Sequence, residues 1–124
     1  MEREFEKLMA FKKAYELAME IFEISKGFPK EETFSLTNQI RKSSRSVCSN
    51  FAEGYTKRRY ENHFIAKLSD CEMENTETYV WLKFAFDCKY LDQKQFQNLV
   101  AKNKEVEKLL RYMLFNPKKF CNFL

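Results

Sequence analysis

Only Gly27, Pro29, Gly54 and Pro117, four residues of 124, belong to the two types that most readily end a helix or reverse a chain. Reversals are therefore few and the segments between them long, which in a sequence rich in Lys, Glu, Leu, Phe and Ala predicts long helices. The length suits one domain that buries roughly two-thirds of its unfolded surface. Its most apolar window, Tyr79 to Phe86, is interrupted by Lys83 and falls short of the ~20 apolar residues that span a bilayer, so a soluble chain is expected. Cys48, Cys71, Cys88 and Cys121 lie far apart without CxxC spacing, and no signal peptide opens the sequence. Reduced thiols in the cytosol are the expectation, rather than disulfides or a zinc site.

Apolar spacing predicts four helices. The first covers about residues 4–26, where Phe5, Leu8, Phe11, Tyr15, Ala18 and Phe22 form one line and Ala14, Leu17, Ile21 and Ile24 an adjoining one, a face broad enough for two neighbours. Gly27, tolerant of the left-handed cap conformation, and Pro29 end it. The second, about 31–54, starts with Glu31 and Glu32 at a positive helix end and carries Leu36, Ile40, Val47 and Phe51 as its core line. The third, about 61–88, bears Phe64, Leu68, Cys71, Trp81, Leu82, Phe84 and Ala85, with Asp70, Glu74 and Glu77 on one acidic line. The fourth, about 92–115, opens on a capping box of Asp92 and Gln95, and its core line includes Phe96, Leu99, Val106, Leu110 and Met113. Short connections predict an all-α, up-down-up-down antiparallel four-helix bundle over 1–116, with a basic-aromatic tail at 117–124.

Reactive groups are sparse. His63 is the only histidine, no Glu-x-x-His pair is present, and no phosphate loop, nucleophile elbow or Cys and His pairing appears, so neither enzyme activity, metal nor cofactor is expected. Charge is the informative feature. Between Arg41 and Arg59 lie Arg41, Lys42, Arg45, Lys57, Arg58 and Arg59 against Glu53 alone, a balance of +5, while the remaining residues balance to −1. Such a field attracts polyanions, because neutralising phosphates releases condensed counterions. The flanking rings of Phe51, Tyr55 and Tyr60 suit stacking on unpaired bases. Alternatively, Arg41 and Arg45 pair with the acidic line of the third helix and the Lys57–Arg59 run is a wet turn. A second pattern accompanies the first: Gln39, Ser43, Ser46, Asn50 and Glu53 repeat every three or four residues. This seam reads either as a solvated face or as a polar network, chiefly Gln39, Ser46, Asn50 and Glu53, that fixes register at a helix or subunit junction.

The run FPKEETFSLTNQIRKSSRSVCSNFAEGY, Phe28 to Tyr55, resembles the signature of the bacterial four-helix-bundle proteins encoded in intervening sequences of 23S rRNA genes, relatives of the accessory variability determinant of diversity-generating retroelements. The matching positions are Phe28, Pro29, Glu32, Leu36, Gln39, Arg41, Lys42, Ser46, Asn50, Ala52, Glu53 and Gly54. Further matches at Lys13, Ala14, Glu16, Leu17, Glu77, Leu82, Ala85, Tyr90 and Leu91 extend the resemblance over nearly all but the tail. It departs at Phe11, Lys12, His63, Met73 and Glu74, and the stretch from Gly54 to Phe64 is one residue longer than usual.

The resemblance implies a homopentamer, with nucleic acid or a reverse transcriptase as partner in the retroelement branch. Five copies of a +4 chain would make a strongly cationic particle. The leading expectation is a non-enzymatic, cytoplasmic oligomer that binds RNA, DNA or an RNA-protein complex through phosphate contacts from the Arg41 to Arg59 region. The alternative is a protein-interaction scaffold whose cations are consumed by intersubunit ion pairs with Asp70, Glu74 and Glu77.

Overall fold

The computed structural model describes residues 1–121, and all regular structure among them is helical. Four long helices carry the fold: α1 (Met9–Ser25), α2 (Leu36–Thr56), α3 (Glu61–Asp87) and α4 (Gln93–Phe115). Short 3-10 turns occupy Glu4–Lys7, Lys30–Glu32 and Pro117–Lys119. Both α1 and α3 pack against α2 and α4, so all four share one core. No helix among the described residues is long and apolar enough to cross a membrane.

Two boundaries and one cap differ from the sequence reading, each for a local reason. The first predicted helix breaks at Leu8, whose backbone is extended at φ −76°, ψ 136°. In an unbroken helix Phe5 and Phe11 would be about 9 Å apart along the axis and on different faces. The break instead lets Phe5 fold back edge-on against Phe11, with ring centroids 5.0 Å apart. The second helix begins only at Leu36, and Glu32 caps it from outside: Oε1 accepts the Leu36 N–H at 3.2 Å while Oε2 accepts the Tyr90 hydroxyl at 2.8 Å. Tyr90, then Leu36, holds the Glu32 carboxyl below its ordinary value. No glycine takes the left-handed conformation; Lys89, with φ 66°, does so instead at the end of α3. There the Tyr90 N–H reaches back to the Ala85 carbonyl at 2.8 Å, closing the helix.

Ile21, Ile40, Phe51, Phe64, Leu68, Leu82, Leu99, Val106 and Leu110 are fully enclosed. Two polar pairs interrupt this core. Ser43 and Thr78 share a hydrogen bond of 2.8 Å between α2 and α3. Between α3 and α4, Asn75 Nδ2 donates to the Asn103 carbonyl at 3.0 Å, and Asn103 Nδ2 donates to the Asn75 carbonyl at 2.9 Å. No buried side-chain nitrogen or oxygen among the described residues lacks a partner. Desolvation is thus offset throughout, and the pairs favour one helix register because sliding would orphan both amides. Phe84, expected in the core of the third helix, is instead 54% exposed, and Trp81 beside it is half-buried.

Gly54 lies inside α2 rather than ending it. A Cβ built there would come 2.9 Å from the Lys67 Cβ on α3. Glycine is required here by close helix contact, since its helical φ gives it no conformational advantage.

Candidate nucleic-acid interface

The six cations that adjoin in sequence form two groups in space. Arg41, Lys42 and Arg45 project from the first half of α2, whereas Lys57, Arg58 and Arg59 form the turn after its last residue. At ~1.5 Å per helical residue, Arg41 and Lys57 are about 24 Å apart, roughly three screening lengths at physiological salt. Each group must therefore be considered as a separate charge site.

In the first group, Arg41 is half-buried and committed to the joint between α1 and α2. Its Nε donates to Ser25 Oγ at 2.8 Å, an Nη donates to the Phe22 carbonyl at 3.4 Å, and its guanidinium covers the Phe22 ring at 4.9 Å. Arg45 covers the same ring at 5.5 Å but remains exposed. Lys42 is also exposed and turns toward α3, where burial and Glu77 push the Glu74 carboxyl up while Lys42 opposes them. These cations edge a shallow groove with Thr37, Asn38 and Ser49. On the other side of Arg45 runs an apolar groove of Phe11, Tyr15, Met19, Cys48 and Ala52.

In the second group, the Arg58 guanidinium sits over the Tyr55 ring at 3.7 Å, and its Nε donates to the Tyr55 carbonyl at 2.9 Å. Lys57 and Arg59 are exposed. Among the described residues, Lys42, Arg45, Lys57 and Arg59 make no ion pair. Asp70 and Glu74 likewise make none, and Glu77 accepts the Trp81 indole N–H at 3.2 Å. Pairing of Arg41 and Arg45 with the acidic line does not occur within the chain, because both guanidiniums turn to the α1 side of α2.

The polar seam divides as well. Asn50 and Glu53 converge on Lys67 of α3: Lys67 Nζ donates to Asn50 Oδ1 at 3.4 Å and pairs with Glu53 at 2.8 Å. That bond holds the Glu53 carboxyl down and raises the Lys67 ammonium. Gln39 and Ser46 are half-buried, and their side chains make no hydrogen bond with the described residues. The sequence reading missed Lys67 and Thr78 as the partners of this seam. Gly54 was the available clue, marking where α3 comes close enough to supply both.

The tail folds back over the start of α3. Phe120 stacks on Phe64 with ring centroids 6.3 Å apart, and Lys118 pairs with Glu61 at 3.4 Å. Residues 122–124 of the predicted tail lie outside the described residues. No three His, Cys, Asp or Glu side chains among the described residues converge as metal ligands would.

No curated protein matches this chain. A solved structure from Bacteroides thetaiotaomicron VPI-5482, a protein of unknown function from the S23 ribosomal protein family, superposes with a TM-score of 0.78 at 26% sequence identity. The match covers 86% of this chain and 96% of that one. The model of the family described as 23S rRNA-intervening sequence protein matches residues 6–112, which include the four helices almost entirely and both cationic groups. This chain belongs to the 23S rRNA-intervening sequence protein family.

Proposed function

We propose that this chain is a non-enzymatic, cytoplasmic, oligomeric binding protein that holds nucleic acid, as RNA or an RNA-protein complex, through phosphate contacts. One observation carries the reading: Lys42, Arg45, Lys57 and Arg59 are exposed and form no ion pair among the described residues. Some other cations are used internally, as where Lys102 joins Glu16 and Glu20, or Arg111 joins Glu72 and Glu107. Others, such as Lys94, Lys104 and Lys108, are exposed without an ion pair among the described residues; what sets the four apart is their concentration in a segment whose only acid is Glu53. Unmatched cations are suited to a polyanion, which gains affinity by shedding counterions.

The inferred architecture is an up-down-up-down bundle. Paired contacts support it, since numbering rises on one helix as it falls on its neighbour: Phe11 meets Phe51 and Ser25 meets Arg41, Glu53 meets Lys67 and Ser43 meets Thr78, Glu72 meets Arg111 and Asn75 meets Asn103, and Lys13 meets Glu105 and Glu20 meets Lys102. The proposed assembly is a homopentamer of about 75 kDa, five times the 15.0 kDa chain. Exposed apolar residues, including Tyr15, Met19, Phe34, Met73, Val80 and Phe84, are suited to its subunit contacts.

A second reading has its own support. Asp70 and Glu74 are also without ion pairs among the described residues, so a neighbouring subunit's cations could meet them and leave a scaffold that binds no nucleic acid. Binding of RNA, single-stranded DNA and duplex DNA at two salt concentrations, using assembled protein whose mass is fixed by light scattering, separates the readings. Retention at low salt that weakens as salt rises is expected. No retention of any of the three at low salt leaves the scaffold.

A further inference from the structure

At one end of the molecule, separate parts of the sequence bring cations and solvent-exposed aromatic rings together. The α2–α3 turn supplies exposed Lys57 and Arg59, followed by Tyr60, which is 58% exposed. The last turn of α4 supplies Tyr112 and Phe115, exposed by 49% and 80%. The tail crosses between them. Lys118 reaches Glu61 at the start of α3 with its own side chain 87% exposed, and Lys119 donates to the Tyr112 hydroxyl at 2.8 Å and covers that ring at 5.1 Å. Phe120 anchors the arrangement, stacked on Phe64 and edge-on to Tyr112 at 6.2 Å.

Phe115, 80% exposed, ends α4 at the same end of the molecule as the tail lysines and the α2–α3 turn. The Phe120 anchor shows that apolar partners were available a few residues away. The first cationic group on α2 is different: its nearest ring, Phe22, is half-buried beneath Arg41 and Arg45. Phosphates could contact either group, but beside the first the exposed ring is Tyr15, in the apolar groove that Arg45 edges, whereas the end of the molecule gathers three exposed rings with its cations. A duplex keeps its base faces stacked, whereas a single strand presents them.

Resting on the reading of this chain as a nucleic-acid binder, we propose that this end is a single-strand platform. Lys57, Arg59, Lys118 and Lys119 hold the backbone while Tyr60, Tyr112 and Phe115 stack on unpaired bases. The platform extends the site past the Arg41 to Arg59 segment to residues of the tail. It takes single-stranded RNA or DNA without base preference, since every base has a face to stack.

The test compares a fluorescent oligouridine of about twelve nucleotides, within the usual site sizes, with an RNA duplex of equal length. The variant is Tyr60→Leu with Phe115→Leu, which removes the two most exposed rings of the platform and no charge. It spares Tyr112, which packs on Phe120, and its fold is checked by helicity and melting. Single-strand affinity should fall about tenfold or more, while the salt slope and duplex affinity stay as in the wild type. Photocrosslinking of wild-type protein to a thiouridine-substituted strand should label peptides containing Tyr60 or Phe115, which avoids any effect of substitution. If the wild type binds but the variant binds equally and crosslinks fall on the Lys42 to Arg45 stretch, this platform is overturned and the general reading stands. If the wild type binds neither probe at low salt, both fall.

Discussion

The two sides of α2 use polar residues in opposite ways. On the side facing α3, most polar groups engage a partner within the chain or make room for one: Ser43 bonds Thr78, Asn50 and Glu53 converge on Lys67, and Gly54 lets the backbones approach, while Gln39 beside Trp81 makes no side-chain hydrogen bond among the described residues. On the solvent side, Arg45 extends outward and Lys42 lies exposed at the α3 edge near Glu74, neither in an ion pair among the described residues, and Lys57 and Arg59 are likewise exposed and unpaired in the turn beyond. A satisfied polar pair secures packing and register, whereas an unmatched exposed cation adds little to folding. The inner side therefore accounts for stability, and the outer side has chemistry left for a partner. Arg41 belongs to both, with its guanidinium bonded to Ser25 while its charge adds to the outer field.

Substitutions should separate the two sides by what they change. The largest effect is expected from Gly54→Ala, whose added methyl would sit 2.9 Å from the Lys67 Cβ and force α2 and α3 apart. Overpacking of this kind costs about 1–3 kcal/mol, measurable by urea denaturation, with no change in the salt dependence of nucleic-acid binding. A Gly54→Ala protein as stable as the wild type would mean that the helices are not so close.

A smaller loss, about 1 kcal/mol by the same denaturation, should follow Ser43→Ala, which removes the bond to Thr78 but leaves the Thr78 hydroxyl donating to the Glu74 carbonyl at 2.9 Å. The smallest effect concerns pH. Lys67, by hydrogen bond and then by charge, holds the folded Glu53 carboxyl below its ordinary 4.5. Its stabilisation is therefore present above about pH 4.5 and lost as pH falls through the lowered value. Stability measured across that window should decline less steeply in Glu53→Gln; an identical decline would show that the pair does not act in solution.

Much of this architecture was legible in the sequence because apolar spacing survives without knowledge of neighbours. Leu36, Ile40, Val47 and Phe51 were read as the core line of the second helix, and all four are buried. Phe84 was misplaced because composition alone does not say on which side of a helix a broad apolar band ends. Asn75, Thr78 and Asn103 went unread for the complementary reason: they occupy core spacing between Cys71 and Leu82, or between Leu99 and Val106, but a polar side chain looks solvated until its partner is visible. The candidate interface was legible as charge and not as shape. Nothing local in the sequence reveals that α2 separates the two cationic groups, that Phe22 engages Arg41, or that Lys118 returns to the start of α3.

The most direct test of the division between a self-satisfied inner face and an outer face that holds phosphate is a salt titration. Affinity for single-stranded RNA is measured across a range of salt for the wild type and for a variant combining Lys42→Gln, Arg45→Gln, Lys57→Gln and Arg59→Gln. If each cation meets one phosphate, the slope of log affinity against log salt should shrink by about 3, with the melting temperature nearly unchanged. An unaltered slope and affinity in a correctly folded variant would contradict the assignment of these four side chains to the nucleic-acid contact.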